Sequence, residues 1–191
     1  MLSSTERNRR RPAAFLAALS LLAGCGGDSN PKPAPEATGG SAKGTDYTLE
    51  PPEGFRDVKS RFEGSAIKVD LVYADTQASG FARNIVVIRE QPGGTPKLDD
   101  VMGAFKGQAE AQATDAGISA IEDRELDGVP AKTYSFERRE RQNGTVRQRQ
   151  VVAVRGDAIY TITWSVAADD FEAQEATLDR TLTTWRWAGP A

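Results

Sequence analysis

Between residues 66 and 74 the chain alternates. Ile67, Val69, Leu71 and Tyr73 fall on one face of an extended segment, with Lys68 and Asp70 on the other. A period of two predicts a strand with one buried face. Upstream, Tyr47-Thr48-Leu49 is a short extended piece ending at Pro51-Pro52, and Glu53-Gly54 predicts a turn before Phe55. Downstream, residues 77–80 read as a turn. Residues 84–89 (NIVVIR) are more evenly apolar, as in a strand inside a sheet. The period then changes. Leu98, Val101, Met102, Phe105 and Ala109 recur at helical spacing. Thr95 suits the cap, and Pro96 suits the first turn, where its missing N–H costs nothing. Asp99 and Asp100 favour the positive end of the helix dipole, and Gly117 is a natural stop. The pattern predicts a helix over 96–115, packed on the sheet.

The next section predicts a meander of four strands, 118–126, 129–138, 146–155 and 158–166. Asp127-Gly128, Asn143-Gly144 and Gly156-Asp157 join them. These pairs supply the positive φ angles that two-residue hairpin turns require. The last strand sets Tyr160, Ile162, Trp164 and Val166 against Thr161, Thr163 and Ser165. A second helix is predicted over 170–184, with Asp169 as cap and Glu172 completing a capping box. Phe171, Leu178, Leu182 and Trp185 mark its inner stripe, and Trp185-Arg186-Trp187 closes the domain as a short strand. The expected fold class is α+β, an antiparallel sheet with helices packed on it, forming one domain over 47–191.

The N-terminus follows a different logic. Arg7, Arg9, Arg10 and Arg11 precede an apolar run, PAAFLAALSLL, and then Ala23, Gly24 and Cys25, the only cysteine. This is the order of a secretory leader, and its greasy core is far short of the roughly 20 residues that span a bilayer. Pro12-Ala13-Ala14 pushes Phe15-Leu16 too far from Arg10-Arg11 for a twin-arginine signal, so general secretion is the expected route. Leu22-Ala23-Gly24-Cys25 resembles the lipobox of bacterial lipoproteins. That resemblance implies cleavage of residues 1–24 between Gly24 and Cys25 and acylation of the Cys25 thiol. Residues 25–46 then form the lipidated cysteine and a Gly/Pro/Ser-rich tether. It has no aromatic or branched aliphatic side chain to bury. A coil of this length spans roughly 25 Å. The expected location is the extracytoplasmic face of the cell membrane, with the lipid bilayer as first partner through acylated Cys25.

Within the domain, Pro52-Glu53-Gly54-Phe55, Leu126-Asp127-Gly128-Val129-Pro130-Ala131 and Gly156-Asp157-Ala158-Ile159-Tyr160 stand in an order similar to the PsbP-like fold. Within it they resemble the LpqN-type secreted lipoproteins of high-GC Gram-positive bacteria. The late helix ending in Trp185 fits as well. The resemblance implies an antiparallel sheet with helices on its faces and a binding or accessory role. It supplies no catalytic residue.

Composition narrows the chemistry. The chain has 24 basic and 27 acidic residues. The leader takes four Arg and one Glu with it, leaving 20 against 26 and a net charge of −6. An acidic chain is a poor nucleic-acid ligand, because that affinity comes largely from neutralising phosphates. There is no histidine, which removes the commonest general base and metal ligand near neutral pH. No metal, cofactor or catalytic residue is expected. Asp99-Asp100 and Asp169-Asp170 sit at predicted helix starts, where capping explains them.

Two groups remain as candidate sites. Arg138, Arg139, Arg141, Arg147 and Arg149 lie on the two arms around Asn143-Gly144, where opposed strands bring side chains together. They suit an anionic lipid headgroup, a phosphate-bearing wall polymer or an acidic partner. The plainer and preferred reading is a solubilising hairpin tip. Tyr134, Tyr160 and Trp164, with Trp185 and Trp187, suit a pocket for an apolar or sugar-like ligand, although core packing is the simpler account. The leading expectation is a non-catalytic binding or accessory module at the envelope, acting on an unidentified envelope protein or polymer. The alternatives are a carrier of a small hydrophobic molecule or a carboxylate-dependent hydrolase.

Overall fold

The meander forms through turns of two kinds. Strand β6 (Glu122–Leu126) meets β7 (Val129–Glu140) at Asp127-Gly128, both with positive φ, 47° and 81°. Strand β8 (Gly144–Arg155) meets β9 (Ala158–Ala167) at Gly156-Asp157. The middle turn differs from expectation. Glu140 pairs with Gly144, so the loop is the three residues 141–143, with only Gly144 at positive φ.

A computed structural model of the protein describes residues 40–78 and 80–189. The leader, Cys25 and most of the expected tether lie outside them. Ahead of the meander stand β1 (Ala42–Lys43), β2 (Tyr47–Leu49), β3 (Phe55–Asp57), β4 (Leu71–Asp75), β5 (Asn84–Glu90) and α1 (Leu98–Glu110). After it come α2 (Phe171–Thr183) and β10 (Arg186–Trp187). Seven strands form one antiparallel sheet in the order β3-β4-β5-β9-β8-β7-β6, and β1-β2-β10 form a small second sheet. The fold is α+β, an antiparallel sheet with helices packed on it.

Both faces of the large sheet are covered. One face carries Ile85, Val87, Val151, Tyr160, Ile162 and Trp164 beneath Phe171, Leu178 and Leu182 of α2 and Tyr47, Leu49 and Trp185 of the closing segments. The other face carries two separate apolar islands. Met102, Phe105 and Ala109 of α1 cover Tyr134, Phe136, Val152 and Ile159. Val58 and Phe62 cover Val72, Ala74, Val86 and Ile88. On that face β9 offers Thr161, Thr163 and Ser165, all buried, and Gln148 Nε2 donates to Ser165 Oγ at 2.9 Å. Burial on both faces follows from the central place of β9, which no local period reveals.

Several predicted boundaries move for tertiary reasons. Ala42 is in a strand and buried, so the last residues assigned to the tether belong to the folded unit. The strand expected over 66–74 begins at Leu71. Asp70 N–H still donates to Val87, but a 3₁₀ turn at Lys59–Phe62 packs beside it and Lys59 Nζ holds the Asp70 carbonyl at 2.7 Å. The first helix is shorter than 96–115 at both ends. Lys97, extended, occupies the cap position, so Thr95 and Pro96 precede the helix. Past Glu110 the Thr114 N–H donates to Glu137 of β7 at 2.7 Å and draws the chain onto the sheet edge. The strand expected over 118–126 is continuous only from Glu122. Ile118 makes one bridge to Phe136, and Ser119 Oγ accepts the Ser135 N–H in place of a backbone carbonyl. Asp169 lies in a short 3₁₀ turn and Asp170 takes the α2 cap position without a side-chain bond, so no capping box forms.

Candidate functional site

Strand alternation divides both predicted groups. Residues 138 and 146 pair on one face of the sheet, while 147 and 149 stand on the other. Arg138 is buried and ion-paired with Glu140; burial pulls its pKa down while the carboxylate pushes back. Arg147 and Arg149 lie under α2. The Arg147 guanidinium stands 4.2 Å from the centre of the Phe171 ring, and Arg149 Nη2 reaches Glu175 at 2.7 Å. Arg139 and Arg141 alone are exposed, near the hairpin tip. The five arginines therefore do not form one ribbon.

The aromatic residues divide in the same way. Tyr134 belongs to the island under α1, its hydroxyl bonded to Gln150. Tyr160 and Trp164 belong to the opposite core, each at most 2% exposed. Trp164 stacks on Phe55 at 5.5 Å. Tyr160 donates to Asp46 Oδ2 at 2.8 Å, and Arg89 Nε donates to the same oxygen at 2.7 Å. The Tyr160 hydrogen bond, opposed by partial burial and joined by Arg89, holds the Asp46 carboxyl below its ordinary range. Tyr160 fastens the small sheet to the large one through Asp46 and the Tyr47 and Trp187 rings, whereas Tyr134 and Trp164 pack within cores on opposite faces of the large sheet.

A concave surface lies elsewhere, beside the β3 edge. An open depression of about 670 Å³ is lined by Asp57, Lys59, Ser60, Phe62, Glu63, Gly64, Ser65, Ile67, Lys68 and Val69. Its floor is the outer side of the island built on Val58 and Phe62, against which Ile67 and Val69 pack. Lys59, Glu63 and Lys68 are exposed around it. Asp57 Oδ1 accepts the Lys59 N–H at 2.8 Å, and Ser65 Oγ donates to the Ile67 carbonyl at 2.8 Å. With the Val58 N–H donating to Val72 of β4 at 3.0 Å, these bonds shape the loop. The arrangement offers apolar contact inside a charged margin.

Sequence reasoning passed over these residues because Ile67, Lys68 and Val69 alternate as a strand does. The available signal was Gly64-Ser65, a turn pair directly before that alternation. Among the described residues no group of three or more Cys, His, Asp or Glu converges as a metal site. No described helix is long and apolar enough to cross a membrane.

Solved structures share this architecture. Cyanobacterial PsbP (CyanoP) from Synechocystis sp. PCC 6803 superposes with a TM-score of 0.57 at 17% identity, over 82% of this chain and 98% of that one. The domain has a PsbP-like fold. A Pseudomonas aeruginosa protein of unknown function, PA94, described as a putative regulator, matches with a TM-score of 0.53 at 18% identity, over 75% of this chain and 92% of that one. At these identities the likeness concerns the fold. No family model matches the chain, and no curated protein matches it.

Proposed function

We propose that this PsbP-like domain is a non-catalytic binding or accessory module, held at the outer face of a membrane by lipid on Cys25. The observation that carries the binding role is the open depression: apolar at Phe62, Ile67 and Val69, margined by Lys59, Glu63 and Lys68, and independent of the packed aromatic core. A preformed concavity of several hundred Å³ is where small or extended ligands bind. The anchor rests on the order of basic, apolar and small residues before Cys25. Two or more acyl chains make such a tether stable.

Intact mass spectrometry of the membrane-extracted protein tests the anchor. The expected mass is that of a chain beginning at Cys25 with added acyl groups; an unmodified Cys25 would exclude the reading. A photo-crosslinking residue in place of Ser60 tests the binding surface on intact cells. Adducts are expected there and not from the same residue at Gln142 on the hairpin tip; equal labelling would count against it.

A further inference from the structure

We propose that the depression between Asp57 and Val69 is the face by which the domain rests on a bilayer of anionic phospholipid. This rests on the lipid-anchor reading of Cys25 and names the partner of the same depression. Three observations converge on it.

The first is charge. Segment 56–68 carries Arg56, Lys59, Arg61 and Lys68 against Asp57 and Glu63, within a mature chain that is acidic. Lys59, Arg61 and Lys68 are exposed, and so are Asp57 and Glu63, which leaves a basic excess of one among the exposed charges of this segment. Local basic excess on an acidic protein is what an anionic surface selects.

The second is the apolar floor inside that margin. Ile121 is the single exposed large hydrophobic residue among those described. Within the depression Ile67 and Val69, each half-buried, face solvent together over the buried Phe62. Apolar side chains with Lys and Arg beside them suit the interface of an anionic membrane.

The third is position. The chain leading from Cys25 enters the domain at residues 40–45. Thr45 donates from its N–H and its hydroxyl to Asp70 at 3.0 and 2.7 Å, and Asp70 directly follows Val69 of the depression. The shorter tether that remains, roughly 20 Å, keeps that end of the domain near the headgroups. The depression is on the same end.

The test is amide hydrogen exchange on the full acylated protein in nanodiscs of phosphatidylcholine alone and of phosphatidylcholine with one quarter phosphatidylglycerol. Exchange over 59–69 is expected to slow at least tenfold in the anionic discs and to recover in 0.5 M NaCl. Arg61→Glu with Lys68→Glu is expected to remove the protection while leaving Tm unchanged. Equal exchange in the two lipids, or protection that survives the double variant, would overturn the proposal. A fall in Tm of the double variant transfers the decision to the salt arm, where protection insensitive to 0.5 M NaCl overturns it. The anchor fails separately. If intact mass shows Cys25 unacylated, the same exchange measurement against free vesicles of the two compositions still decides the depression.

Discussion

The Tyr47 ring lies flat on the Trp185 indole, with centroids 3.9 Å apart and planes 8° from parallel. One residue follows the tether and the other precedes the last strand, so this stack closes the domain's two ends onto each other. Tyr160 and Trp187 meet the pair edge-on, and Trp187 Nε1 donates to the Leu126 carbonyl at 2.7 Å. Gly44 is part of the same fit. A Cβ added there would stand 2.2 Å from the Tyr47 ring. Gly44→Ala must push the ring off the indole, and should lower stability by about 1–3 kcal/mol. Trp185→Ala, which empties the site, should cost about 3–5 kcal/mol. Urea denaturation measures both; a Gly44→Ala midpoint equal to wild type would refute the close fit.

Glu90 gives the domain an unusual pH response. It ends β5 on the sheet face that carries the two islands, and burial holds its carboxyl up at about 7 against an ordinary 4.5. Between those values the folded state binds the proton more tightly than the unfolded chain. Stability contributed by this group is therefore full below pH 4.5, falls as pH rises toward 7, and is lost above it. Solvent reaches part of the carboxylate, so the loss is about 1–2 kcal/mol. Glu90→Gln should raise Tm at pH 8 and leave it nearly unchanged at pH 4.5. Thermal melts across pH 4 to 9 check this, and a Gln variant that parallels wild type throughout would contradict it.

Asp46 acts in the opposite sense at lower pH. Its carboxyl is held below the ordinary 3.8, first by the Tyr160 hydroxyl. The unfolded chain thus takes up the proton first as pH falls. The contribution is present above pH 3.8 and disappears as pH drops through the folded value. Solvent reaches about a third of the Asp46 side chain and screens the contact, so the effect is under about 1 kcal/mol. Tyr160→Phe should make stability less dependent on pH below 4, read as a flatter acid-denaturation profile. An unchanged profile would show that the hydroxyl does not hold the carboxylate.

The hairpin arginines separate into structural and surface members. Arg149 joins β8 to Glu175 of α2 and stands 5.6 Å from the Phe171 ring centre. Arg149→Ala should cost about 1–2 kcal/mol through the lost ion pair and ring contact. Arg139→Glu with Arg141→Glu should change stability by less than about 0.5 kcal/mol, since both side chains are exposed. Chemical denaturation of the two variants side by side decides the point. Equal losses would mean that α2 is not held by Arg149.

Local signals carried the meander and both helices, because turn chemistry and apolar period are properties of neighbouring residues. Asp127-Gly128 bends the chain through its own φ angles wherever it stands. The stretch around Ile67 and Val69 shows where that logic stops. Its alternation is genuine, but a strand also needs a partner, and the Lys59–Phe62 turn packs beside it. Nothing within residues 66–70 encodes that competition. What resulted was a depression instead of a longer sheet.

The sequence alone determined the meander, the two helices, their order, the antiparallel class and the absence of histidine, since each depends on residue identity or short spacing. Tertiary structure decided which side of the sheet each residue serves and what covers it. It sent Arg138 inward and Arg147 beneath a helix, put Tyr134 and Trp164 on opposite faces, and left Ile67 and Val69 half-exposed above Phe62. Those outcomes depend on contacts between residues far apart in the chain, and pairing register, not composition, fixes them.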